Sequence, residues 1–147
     1  MLDDIDNGLI TILGRDARMN NKEIAAKLGV SEGTIRNRVR KLTEEGVLKL
    51  SGLVDPDKDS STQLVMLGVN LSATSELQRK AQEVSLLTGV KSVSITTGRY
   101  DLFVEVLVDV KHGLIDFLSE CLSRVDGVIS TESFVVMRSF NKWIQHE

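Results

Sequence analysis

The chain has 147 residues, 41% of them hydrophobic, and a formal net charge of −3, which suits an ordinary globular core in one domain or two small ones. No stretch approaches the apolar length of a membrane span, and the start lacks a basic region followed by an apolar run, so a cytoplasmic location is expected. The lone Cys121 permits no intrachain disulfide and offers no metal cluster.

Residues 2–16 read as a first helix. Leu2, Ile5, Leu9, Ile12 and Leu13 fall at helical spacing, and Asp3, Asp4 and Asp6 suit the positive end of its dipole. A second helix is expected over residues 21–28. Asn20 caps it with Glu23 three residues on, the capping-box spacing, and Gly29 supplies a sharp stop. Ser31 caps a third helix that runs to about Glu45 and meets Gly46.

In that third helix Ile35, Val39 and Leu42 share one buried stripe, and Arg36 and Arg38 flank it. Gly33, Thr34, Asn37, Arg40 and Lys41 lie mainly on the opposite face. A short helix, a tight turn and a second helix with a basic polar outer face describe a helix-turn-helix. Its second helix would enter the DNA major groove. The same spacing also fits an αα-hairpin with a solvated basic face. The negative total charge does not oppose DNA binding. Residues 15–41 hold eight Lys or Arg against three Asp or Glu, a local balance of +5 that leaves −8 elsewhere. The unit is small for a self-sufficient core and is expected to lean on a partner chain or domain.

An extended hinge and a linker follow, ending in DPDKDSST at residues 55–62, which holds the only proline. From Gln63 a plan occurs twice. Strand 63–71 leads to a helix over 74–88, Gly89-Val90 and strand 91–97; after the turn 98–100, strand 102–110 leads to a helix over 111–125, Gly127-Val128 and strand 129–137. Two βαβ halves joined by a tight turn predict a ferredoxin-like βαββαβ domain, in an α+β chain with an N-terminal winged-type helix-turn-helix. Both helices should cover one sheet face. The other, expected to be rich in Val, Leu, Ile and Phe, would be hidden by a second copy in a dimer.

The order of parts resembles the Lrp/AsnC, or feast/famine, transcriptional regulators. The motifs that carry the resemblance are LD-x-x-D (Leu2, Asp3, Asp6), LGVSEGTIRNRVRKLTEEGVL, and Thr97-Gly98-Arg99-Tyr100-Asp101. It spans nearly the whole chain and implies a division into residues 1–50 (DNA binding), 51–62 (hinge) and 63–147 (effector binding and oligomerisation). It also implies a homodimer on double-stranded DNA, higher even-numbered species such as an octamer, and a small-molecule effector, commonly an amino acid. The effector region is then Gly98, Arg99, Tyr100 and Asp101, with Thr131, Glu132 and Ser133 on the last strand. On the residues alone, Gly98 and Asp101 equally fit a plain hairpin turn.

For DNA the expected residues are Lys22, Ser31, Thr34, Asn37, Arg38, Arg40 and Lys41. Arg and Asn can each make paired bonds to a base edge, and phosphate duty is assigned to Arg40, Lys41 and Lys22. Arg36 instead pairs with Glu32 on its own helix. No cofactor, metal or catalytic group is expected. His112 and His146 lack a Cys or His at ligand spacing, and no Gly-rich phosphate loop is present. Two other readings stay open: an Lrp-like sirohaem decarboxylase subunit, which would need His or basic residues around a large pocket, and an effector-independent DNA-architectural protein.

Overall fold

The computed structural model describes residues 1–146; Glu147, the end of the last expected segment, lies outside them. The chain divides into two compact units, Met1–Gly52 and Leu53–Glu147.

The first unit is three helices, α1 (Asp4–Arg15), α2 (Asn21–Leu28) and α3 (Glu32–Glu44). Asn20 Oδ1 accepts the Glu23 amide at 2.9 Å, and Gly29 closes α2 in the left-handed conformation at φ 67°. Ser31 Oγ accepts the Thr34 amide at 3.1 Å and starts α3. The reciprocal capping box expected at Asn20 stands instead on α1: Asp3 accepts the Asp6 amide while Asp6 accepts the Asp3 amide. Leu9, Leu13, Ile24, Ala25, Ile35 and Leu42 form the core, with Leu28, Val39 and Leu48 packed against it. Each fully buried Leu or Ile contributes about 1.5–3 kcal/mol. Residues 47–52 continue without strand or helix.

The second unit is a four-stranded antiparallel sheet of β1 (Thr62–Leu71), β2 (Val90–Ile95), β3 (Leu102–Asp109) and β4 (Val128–Val135), in the order β2-β3-β1-β4. That is the ferredoxin-like arrangement predicted by the repeated plan. Where an extended hinge and linker were expected, the chain holds a single bridge from Val54 to Ile144 and a 3-10 turn at Pro56–Lys58. Helix α4 (Leu77–Ser85) follows a 3-10 turn at Thr74–Glu76.

The second expected helix of this unit is not one regular helix. It opens as α5 (Gly113–Asp116), widens to π geometry over Phe117–Cys121 and tightens to 3-10 over Leu122–Arg124. Ser119 and Ser123 donate their hydroxyls to the carbonyls of Ile115 and Ser119, and such bonds to the preceding turn compete with the regular ladder. Its apolar side is still seated: Leu114, Phe117, Leu118, Cys121 and Leu122 pack with Val84, Leu77 and Ala81 on Val65, Leu67, Val69, Val104 and Val106.

The opposite sheet face departs from the bare apolar surface expected. Strand alternation gives it Glu105, Glu132, Asn70 and Ser92 as well as Leu64, Phe103, Leu107 and Phe134. Part of it is covered by the chain itself. Ile144 buries against Leu64 and Leu107, and Lys142 pairs with Glu105. Among the described residues no helix is long and apolar enough to cross a membrane.

Candidate nucleic-acid interface and effector turn

On α3, Ile35 and Leu42 turn inward while Gly33, Asn37, Arg40 and Lys41 are exposed and Thr34 is half-buried. Asn37, Arg40 and, on α2, Lys22 have no side-chain partner among the described residues. Lys41 lies 3.9 Å from Glu45, a loose pair. Arg36 pairs with Glu32 at 3.0 Å, as expected. Ser31 and Thr34 share a hydroxyl bond of 2.9 Å, so Ser31 already serves as the cap of α3.

Arg38, expected to meet DNA, is bonded within the unit. Its Nη1 donates to Asp3 Oδ2 at 2.6 Å and to Asp6 Oδ1 at 3.0 Å. Asp6 is only 4% exposed. The position beside the buried stripe, on the side facing the start of α1, points this side chain inward to a carboxylate pair. The Asp6 amide, and then Arg38, hold the Asp3 carboxyl below its ordinary value, and the bonds to Asp3 and Asp6 raise the Arg38 guanidinium. The sequence signal for this cluster was the D-x-x-D spacing at the start of α1, an N-cap pattern with Asp in place of Glu at the third helical position.

The turn after β2 is built around Gly98, whose φ of 116° suits glycine. Thr96 donates its hydroxyl to the Tyr100 carbonyl at 2.8 Å, and its amide to the Asp101 carbonyl at 3.0 Å. Asp101 Oδ2 accepts the Leu71 amide at 2.8 Å, and the Asp101 amide donates to Val69. One of its carboxylate oxygens therefore fastens the end of β1. Tyr100 is buried over Gly68, edge-on to Phe103 and Phe134 at 5.4 and 6.3 Å between ring centroids. A Cβ on Gly68 would stand 2.6 Å from that ring. Arg99, 80% exposed, lies 5.5 Å over the Tyr100 ring and 3.7 Å from Glu132.

Glu132 pairs with Gly68 across the ladder and shares the face of Tyr100. Thr131 and Ser133 pair with Val69 and Leu67 and alternate to the other face. Of the three expected residues on this strand, Glu132 alone lies on the face of Tyr100 and Arg99. Tyr100 supplies a floor under Arg99, while Gly68 and Phe134 complete its seat. His146 pairs with Asp59 at 3.1 Å rather than lining the turn, and His112 precedes α5 with no capping bond. Among the described residues no group of His, Cys, Asp and Glu is arranged to hold a metal.

Residues 2–49 match a winged helix-turn-helix DNA-binding model, and residues 63–142 match the Lrp/AsnC ligand binding domain. An HTH-type transcriptional regulator of Pyrococcus horikoshii is 32% identical over 97% of this chain and 89% of its own length. Another, of Methanocaldococcus jannaschii, is 32% identical over 95% of each. The solved structure of E. coli AsnC superposes with a TM-score of 0.70 at 26% identity, over 95% of this chain and 94% of that one. With an outward polar helix in the first unit and a four-stranded α+β second unit, both in the regions those models match, the chain belongs to the Lrp/AsnC family of transcriptional regulators.

Proposed function

We propose that this regulator reads DNA with the outer face of α3 and responds to an α-amino acid at the turn 98–101. The DNA reading is carried by the unpaired polar side chains of Asn37 and Arg40 beside Gly33, where the helix can approach the duplex closely. Thr34 and Asn37 face the bases; Arg40, Lys41 and Lys22 hold phosphate. Asn37→Ala is expected to change sequence preference by about 1–3 kcal/mol at one base pair. Lys41→Ala should weaken all sequences alike and reduce the salt slope by about 1. Competition binding across selected and scrambled duplexes measures both. A uniform loss from Asn37→Ala would make it a positioning contact.

The effector reading rests on one observation, the loose, exposed pair of Arg99 and Glu132 beside an open turn. An amino acid carries both complementary charges and can take the place of each partner for the other. Arg99 and the turn amides near Gly98 meet its carboxylate; Glu132 and the second oxygen of Asp101 meet its ammonium. Tyr100 walls the site. Thermal shift against the common amino acids tests this, since a ligand of the native state at about 100 Kd adds about 2.7 kcal/mol. One responding amino acid, lost on Glu132→Gln, supports the site; no response from the panel turns the reading toward another metabolite or the effector-independent architectural role.

The acting species is a homodimer, with octamers or other even-numbered assemblies above it. Exposed Leu53, Val54, Phe134 and Trp143 on the second unit supply apolar contact surface for such pairing. Residues 1–50 serve DNA, 51–62 form the hinge and 63–147 bind the effector and assemble. Two recognition helices should sit about 34 Å apart, or a multiple of that, on a pseudo-palindromic site. Sedimentation and footprinting check the two claims separately.

A further inference from the structure

We propose that Arg38 is a positioning residue: by gripping both Asp3 and Asp6 it fixes the rotation of α3 against α1, so that the DNA-facing side chains project outward. The proposal rests on the DNA-reading role of α3 given above. Arg38 stands on the recognition helix itself, one helical turn from Thr34 and next to Asn37. It is nevertheless turned away from solvent, with about 29% of its side chain exposed. One nitrogen meets two carboxylates, at 2.6 and 3.0 Å, and those carboxylates belong to the reciprocal cap of α1. The grip thus joins the first turn of α1 to the middle of α3, across 32 and 35 residues of chain.

The electrostatics make the grip directional. Asp3 and Asp6 are like charges brought together by the cap, and Asp6 is buried. Such a pair needs a cation. Both bonds come from one nitrogen, so a lysine ammonium can replace them in kind but on a shorter, more flexible stem that holds them less well. The apolar side chains that α1 and α3 share in the core attract without direction and so resist separation more strongly than rotation of one helix about its axis. The charged bonds are directional and resist rotation.

The competing assignment is that Arg38 leaves the carboxylates and touches DNA. The two make opposite predictions for the acidic partners. The probe is the tightest duplex of about 30 base pairs that the full-length protein selects from a random library, with a scrambled duplex of equal length as reference. Affinities are read by fluorescence anisotropy over a salt series, well below each variant's melting temperature.

If Arg38 positions α3, Arg38→Gln and Asp6→Asn each lower affinity for the selected duplex by about 10-fold, the scale of one disrupted base contact. The scrambled duplex is bound as before, the salt slope is unchanged, and the double variant is no worse than either single one. Arg38→Lys restores part of the loss. Asp3→Asn tests the same point should Asp6→Asn not fold, because Asp3 is half exposed and Asn also caps helices well.

The proposal is overturned if Asp3→Asn or Asp6→Asn binds as tightly as the parent or tighter while Arg38→Gln loses affinity and salt slope, for Arg38 is then a DNA contact. Unchanged binding in every variant overturns it too. A parent protein that selects no sequence at all would sink the DNA-reading assignment instead, a result that the library selection reveals before any variant is made.

Discussion

Asp101 sits in a turn that proposes it as a ligand group, yet one of its oxygens holds the Leu71 amide at the end of β1. The residue therefore has a structural role whatever it binds. Asp101→Ala leaves that amide without its partner and is expected to cost about 1–3 kcal/mol, whereas Asp101→Asn keeps an acceptor oxygen and removes only the charge. Urea unfolding of the two variants side by side separates fastening from ligand recognition. Gly68 gives the sharper prediction. A methyl group there meets the Tyr100 ring at 2.6 Å, so Gly68→Ala should push the ring off its seat and cost about 1–3 kcal/mol. A shift in tyrosine fluorescence together with a lower urea midpoint would report it. A midpoint equal to the parent's would mean that Tyr100 rotates aside freely. Neither effect was visible in the sequence, where Gly68 is one small residue in an apolar strand and Asp101 an ordinary turn residue.

The helices of the first unit were the most legible elements, because their limits rest on local chemistry. Asn20, Ser31 and Gly29 act within a few residues of themselves. Leu42 belongs to a six-residue core, and Leu42→Ala should cost about 2–5 kcal/mol. In a unit of this size that is enough to unfold most of it, so far-UV circular dichroism should show lost helix and the DNA complex should disappear. What local reasoning missed was long-range. Arg38 finds its partners more than thirty residues away, and nothing in the spacing of α3 distinguishes an arginine bound for DNA from one bound for α1. The irregular helical segment after Gly113 was missed for another reason. Its apolar spacing is that of a helix, and the Ser119 and Ser123 hydroxyls that compete with the regular ladder leave that spacing unchanged.

At the scale of the molecule, acid is the condition to which this architecture is most exposed. The Asp3 carboxyl lies below its ordinary 3.8. At Glu105 burial works upward, but Lys142 and Ser92 outweigh it and leave it below its ordinary 4.5. Asp59, bonded by the Ser61 hydroxyl and amide, Thr62 and His146, is also held low. A carboxyl with a lowered folded value binds fewer protons when folded than when unfolded. Its stabilisation is complete above the unfolded value and is lost as pH falls through the folded one. The urea midpoint should accordingly be flat near neutrality and drop progressively between about pH 5 and pH 1. An equal midpoint at both ends of that window would contradict the pairing of these carboxylates. The sequence did foretell the sheet order, since two helix-Gly-Val-strand repeats joined by a tight turn leave few other ways to pair. It did not foretell that the chain would cover part of its own sheet, because that depends on where residues 142–144 return.

The strand order has a consequence for how the protein is made. β1 lies inside the sheet, but its neighbour β4 comes some sixty residues later in the chain. As the polypeptide emerges from a ribosome, β3 pairs with β1 on one side while the other side stays open. Until β4 is released, β1 is an edge strand with a free row of amides and carbonyls, and Val65, Leu67 and Val69 lack part of their final packing. Such an intermediate invites pairing with another nascent chain. Chains that have formed only the β1–β3 pair hold such an edge in common, so the yield of folded protein should fall as the concentration of refolding chains rises.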